Sequence, residues 1–200
     1  MKQRSGEKIK MLSVDELLGV PSGEPVTDIE VDKIYAFEGH PFKVVDDEKM
    51  EELVESIRYN GVLTPVIVRP DDEGGYEMIS GHRRLYAVNK IGLPTIPANI
   101  KEMTDDDAVI AMVDSNIQRE EILPSEKAFA YRMKLNAIKH QGKVTRTSSQ
   151  LGRKLEAAEI VAESVGESKN QIHRFVRLTE LTPDLLEMVD RGKIAIMTGV

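Results

Sequence analysis

The sequence predicts an α+β fold: a small mixed-sheet domain with helices, followed by an all-α helix-turn-helix domain. Up to about residue 118, short apolar runs bounded by Gly, Pro and Asp alternate with segments of helical periodicity. From Pro124 onward only the helical period remains. Charge divides the chain at nearly the same place, with 13 basic and 23 acidic side chains in residues 1–115 against 14 and 11 in residues 116–200. These observations predict a flexible leader over 1–25, a first domain over 26–122 and a helical domain over 123–200 that reads as incomplete at its end.

The leader mixes charge with Gly6, Gly19, Gly23, Pro21 and Pro25 around one short amphipathic piece at 14–18. Residues 26–35 alternate loosely and predict a first strand. Asp46 and Asp47 are natural caps for a helix carrying Met50, Leu53, Val54 and Ile57 on one face and ending at Asn60-Gly61. Residues 66–69 predict a strand, 70–75 a turn and 76–79 the returning strand. Leu85, Val88 and Ile91 mark the next helix, which Gly92 ends. Residues 94–100 predict another strand, assigned to an edge because of Pro94 and Pro97. Asp105 to Asp107 then open a helix through Ala108, Met112 and Val113 toward Asn116.

In the second half, Pro124 starts a helix with Phe129, Met133, Leu135 and Ile138 that breaks near Gln141-Gly142. A polar interval at 145–149 precedes an apolar one at 151–155. Residues 157–165 predict a helix, Gly166-Glu167 a turn, and Ser168 the cap of a helix over 169–178; this is the geometry of a helix-turn-helix. Ile160, Val161, Val165, Ile172, Phe175, Val176 and Leu178 would fill its hinge core. The candidate DNA-binding residues are Ser168, Lys169, Asn170, His173, Arg174 and Arg177. Arg and Asn pair bidentately with base edges, whereas lysine touches phosphate. No acidic residue lies between Glu126 and Glu156, a stretch holding eight Lys and Arg; a solvated bundle face is the alternative to a DNA surface. Pro183 and Asp184 start a last amphipathic helix.

Composition bounds the chemistry. With no cysteine in 200 residues, disulfides, thiolate metal sites and cysteine nucleophiles are excluded. No run of about 18 apolar residues marks a membrane span, and the expectation is a cytoplasmic protein without a membrane partner. The net charge of -7 argues against nucleic acid only if the distribution just described is ignored.

Two stretches carry the functional reading. Ser80-Gly81-His82-Arg83-Arg84 joins a strand to a helix: the glycine lets backbone approach a ligand, the helix start offers free N–H groups, and the arginines add permanent charge. That combination suits a polyphosphate. Asp114-Ser115-Asn116-Ile117-Gln118-Arg119-Glu120-Glu121 collects amide, guanidinium and carboxylate groups at a helix end, and convergence of the two stretches would let Asn116 help position a divalent metal.

Their order, with the helix-turn-helix behind them, resembles the ParB/Noc family of partition proteins over roughly residues 40–198. The match rests on Thr64-Pro65, Gly81-His82-Arg83-Arg84 with Ala87, Asn116-Ile117-Gln118-Arg119 with Pro124 and Glu126, and residues 168–178. The resemblance implies a ParB/sulfiredoxin-like first domain that binds CTP with Mg2+: Thr64 and Pro65 near the base, Ser80, Gly81, His82, Arg83 and Arg84 at the triphosphate, Gln118 and Arg119 supporting the phosphates, and Asn116 at the metal. It further implies a homodimeric, nucleoid-associated clamp on double-stranded DNA that recognises a centromere-like site and stimulates a ParA-type ATPase. His82 stands where many members have an acidic residue, and Ser115 where many have glutamate. That glutamate is linked in the family to CTP turnover; Asp114, one position earlier, would point about 100° away on a helix. Weak CTPase activity therefore stays open and no catalytic residue is assigned. The rival readings are a nucleotide-insensitive transcription regulator and an ATP-dependent small-molecule kinase on the same fold.

Overall fold

The computed structural model describes residues 25–72, 74–119, 121–142 and 156–196. The leader through residue 24, its piece at 14–18 and the intervals at 145–149 and 151–155 lie outside them. Five strands, β1 (Val26–Glu30), β2 (Ile34–Tyr35), β3 (Val66–Pro70), β4 (Tyr76–Ser80) and β5 (Thr95–Ile100), form one mixed sheet in the order β1-β5-β3-β4-β2. β1 runs antiparallel to β5 and β3 antiparallel to β4, while β3 with β5 and β2 with β4 are parallel.

Two sequence expectations are corrected by this topology. Residues 26–35 form two short strands on opposite edges of the sheet, because the 3-10 turn Val31–Lys33 turns the chain after Glu30. The Val31 N–H donates to Pro94 O at 3.0 Å, which anchors that turn. β5 is interior rather than an edge. Its Pro97 faces Asp28 of β1, and registered pairing with β3 begins only at Ala98, so the missing proline N–H interrupts no registered pair on that side.

Helices cover both faces of the sheet. Along β4 the period-2 alternation sends Met78 to one core and Ile79 to another. The first core joins Val66, Val68, Ile96 and Ala98 to α1 (Glu48–Asn60), through Met50, Val54 and Ile57, and to α2 (His82–Ile91), through Ala87 and Val88. Asp47 caps α1 by accepting from the Met50 N–H at 2.9 Å. The second core packs Ile79, Phe37 and Phe42 against α3 (Asp105–Asn116), through Ala108, Met112 and Val113, and against Ala130 of α4 (Pro124–His140). Thr104 caps α3 by accepting from the Asp107 N–H.

The third core is helical. Tyr131, Leu135 and Ile138 of α4 meet Val161 of α5 (Ala157–Val165), Ile172, Phe175 and Leu178 of α6 (Lys169–Leu178), and Val189 of α7 (Pro183–Asp190). Gly166 ends α5 at φ 71°, and Ser168 caps α6 by accepting from the Gln171 N–H at 3.2 Å. Helix α4 therefore belongs to two cores at once, one of which holds the end of α3.

Candidate functional site

The turn between β4 and α2 is built around Gly81, whose φ of 116° suits glycine alone. A Cβ there would stand 2.5 Å from Val66 Cγ1. The Gly81 carbonyl accepts from the Leu85 N–H at 3.0 Å and starts α2, which places Arg83 and Arg84 in its first turn. Across from it, α3 ends at Asn116 and the chain bends through Ile117 to Arg119.

The two stretches meet at one cleft made of two cavities, of about 620 and 560 Å³, that share Lys49, Arg83 and Arg119. Ser80, Gly81, Arg84, Ser115 and Asn116 line the first, and Lys43, Asp47, Glu121 and Glu126 line the second. Five cationic side chains thus stand on one cleft, drawn from positions 43 to 119. Arg84 is held by neutral groups: its Nη1 donates to the Thr64 and Pro65 carbonyls at 2.5 and 2.7 Å. Arg119 forms no ion pair among the described residues and lies 5.8 Å from the centroid of the Phe42 ring. Burial lowers the pKa of both guanidinium groups, and for Arg119 the Arg83 charge lowers it further.

Asn116 is 3% exposed. Its Nδ2 donates to Met112 O at 2.8 Å and lies 3.2 Å from Ser115 Oγ. Among the described residues its Oδ1 makes no hydrogen bond, which leaves an oxygen ligand on the cavity wall beside Ser115.

The other sequence-predicted residues lie elsewhere. Thr64 and Pro65 act through Arg84 and do not line either cavity. Gln118 is exposed and outside the lining. His82 turns inward, 8% exposed, with its ring 3.7 Å from that of His40 between centroids. His40 Nδ1 is 2.8 Å from Phe42 O, while His40 Nε2 and both His82 ring nitrogens are buried without a partner among the described residues. Burial holds the His82 pKa down at about 3, with His40 and Arg119 adding to the effect. Sequence reasoning missed Lys43, Lys49 and Glu52 as lining residues, and gave Glu126 only as part of the family match without a place on the wall. No local motif marks Lys43, Lys49 or Glu52; Lys49 and Glu52 come in on α1, Lys43 from the segment before it, and Glu126 from the first turn of α4.

On the helical side, Asn170, His173, Arg174 and Arg177 are exposed on α6, opposite the buried Ile172, Phe175 and Leu178. Lys169 is drawn back to Glu156 at 2.6 Å and Glu159 at 3.8 Å, and Ser168 serves as the helix cap.

Residues 19–117 match the family model of the ParB N-terminal domain. The chain is 34% identical over 154 residues to the chromosome-partitioning protein Spo0J of Thermus thermophilus, covering 77% of this chain and 51% of that protein. The chain belongs to the ParB/Noc family. This ParB/Noc member is also 34% identical over 192 residues to a nucleoid occlusion protein of Listeria monocytogenes, covering 94% of the chain and 60% of the relative. It spans about half the length of the curated relatives it matches. Its fold is shared with the C-terminally truncated chromosome-partitioning protein ParB of Caulobacter crescentus, crystallised with the centromeric parS site: TM-score 0.55, 22% identity, 85% of this chain and 80% of that one.

Proposed function

We propose that this ParB/Noc chain is a DNA-binding partition protein whose first domain binds CTP with Mg2+ and whose helix-turn-helix reads a centromere-like duplex. The observation that carries the reading is that two of the cleft's guanidinium groups have no carboxylate partner among the described residues, whereas Arg83 lies 3.9 Å from Asp47 and Lys49 3.0 Å from Glu121. Arg84 and Arg119 are partly withdrawn from water, yet neither forms an ion pair among the described residues. A protein places unpaired guanidinium groups in a desolvated cleft at a cost that a polyanion repays. The N–H groups at the start of α2, behind a glycine that leaves room for backbone contact, suit phosphate oxygens.

Mg2+ fits the same wall. It takes oxygen ligands and keeps several waters, so phosphate oxygens plus one or two protein oxygens suffice. Asn116 Oδ1 would hold it, with Ser115 Oγ and the Glu52 carboxylate among the other oxygens of residues lining that cavity. Bound there, the ion would offset phosphate charge. The choice of CTP among nucleotides rests on the family resemblance and on Thr64-Pro65, which sit behind Arg84. Family membership also supports a second copy of the chain and a ParA-type ATPase as partners, and a place on the nucleoid.

Filter binding of labelled CTP with Mg2+ tests the reading, with and without duplex DNA carrying a site selected from random sequence. Retention at tens of micromolar nucleotide is expected, and Arg83→Ala should abolish it while DNA site recognition persists. No retention by the unsubstituted chain, with DNA binding intact, would leave a nucleotide-insensitive regulator.

A further inference from the structure

We propose that Lys49 and Glu121 form a latch on the cationic wall of the cleft, in which an incoming polyphosphate displaces the Glu121 carboxylate from the Lys49 ammonium. This rests on the reading of the cleft as a triphosphate site. Lys49 lies in the first turn of α1, Glu121 in the segment behind Arg119, and the Lys49 Nζ to Glu121 Oε1 distance is 3.0 Å. Lys49 lines both cavities, together with Arg83 and Arg119, and Glu121 lines the second. The pair therefore spans the cleft between two elements 72 residues apart in sequence.

Three physical arguments make the pair functional rather than structural. The side chains are 57% and 79% exposed, and a solvated ion pair of this kind adds little to folding. A cation in the first turn of a helix opposes the macrodipole, which favours acids such as Glu48 and Glu51 there. Lys49 also adds a third positive charge to a wall on which Arg83 already disfavours the charge of Arg119. Asp47 lies 3.9 Å from Arg83 on that wall, and Glu121 supplies the carboxylate at Lys49. A triphosphate brings several charges and more acceptor oxygens to the same ammonium, so it wins the exchange where a singly charged anion does not. The latch thereby favours polyanions over monoanions.

The test is equilibrium binding of CTP with Mg2+, and separately of inorganic tripolyphosphate, to the chain and to Glu121→Gln, Lys49→Gln and the double variant. Glu121→Gln should tighten both ligands about three- to tenfold, and Lys49→Gln should weaken both by a similar factor. In the Lys49→Gln background the gain from Glu121→Gln should fall below about twofold, because the exchange partner is gone. An unchanged affinity in Glu121→Gln, or an equal gain in both backgrounds, overturns the latch, the latter because Glu121 would then act only as a nearby charge. A gain seen with CTP but not with tripolyphosphate also overturns it. Failure of the unsubstituted chain to bind CTP overturns the reading of the site, and the latch with it; binding without the Glu121 effect overturns the latch alone.

Discussion

His82 opens α2 with both ring nitrogens buried and unpartnered, so the folded protein can hold it only as a neutral imidazole. The groups facing it make protonation worse: His40 stacked on its ring, and Arg119 beyond it over Phe42; Glu126 acts on His40 and opposes this only there. Its folded pKa of about 3 lies far below the ordinary value of 6.5. Below pH 6.5 the unfolded chain binds a proton that the folded chain refuses. Stability from this group is therefore complete above that pH and is lost as pH falls from 6.5 toward 3. The loss approaches about 1.4 kcal/mol per pH unit. Thermal melts between pH 5 and 8 should show this slope, and His82→Gln should flatten it; a slope unchanged by that substitution would place the proton uptake elsewhere. This inward role could not be read from the motif, because an isolated Gly-His-Arg-Arg does not reveal that His40, 42 positions earlier, supplies a stacking partner.

At the scale of elements, α4 is the piece that joins the cleft to the α5–α6 hairpin. Its Glu126 accepts from the Lys43 and Leu123 N–H groups, at 2.8 and 3.1 Å, on the cleft wall. Lys127, the next residue, and Tyr131, a turn further on, both reach Glu167 in the turn between α5 and α6, at 3.2 and 3.0 Å. Lys134, only 2% exposed, donates to Asp114 of α3 and to Ser164 of α5, the latter at 2.7 Å. Removing the whole side chain leaves a void and loses both hydrogen bonds, so Lys134→Ala should cost about 2–4 kcal/mol. Lys134→Met keeps the stem, and the half-exposed Asp114 regains water, so its cost should stay under about 1.5 kcal/mol. Urea unfolding compares the two, and equal losses would show that the charged head, not the stem, carries the tie.

Element existence was legible because caps and periodicities are local. Asp47, Ser168, Pro124 and Gly92 each act within a turn of their own position. Strand placement was not legible for the same reason. Whether residues 26–35 stay on one edge depends on a contact with Pro94, and whether β5 lies inside depends on β1 reaching it. The arginine turn and the Asn116 corner were each readable as motifs, while Lys49 and Glu52 carry no motif and enter the cleft only through the packing of α1.

For the whole molecule, the acidic excess lies in residues 1–115, with 23 acidic against 13 basic side chains, so its field would repel a duplex and the proposed DNA contact falls to the local face of the second half. That face is small. Asn170, His173, Arg174 and Arg177 stand clear of the core, whereas Lys169 is already engaged by Glu156 and Glu159. Arginines that contact phosphate release counterions, and each contributes close to one unit to the slope of log affinity against log salt. Arginine or asparagine that pairs with a base edge instead contributes about 1–3 kcal/mol of discrimination and little slope. Anisotropy titrations from 50 to 200 mM salt, on a selected site and on a scrambled duplex, therefore sort these side chains. Arg177→Ala, at the carboxy end of α6, should lower the slope by about one unit on both duplexes. Asn170→Ala, in the first turn, should narrow the gap between the two duplexes while leaving the slope in place. Affinity that is flat in salt, or equal losses on both duplexes for every substitution, would remove α6 from the role of reading helix and leave the hairpin as one more packed element of the helical core.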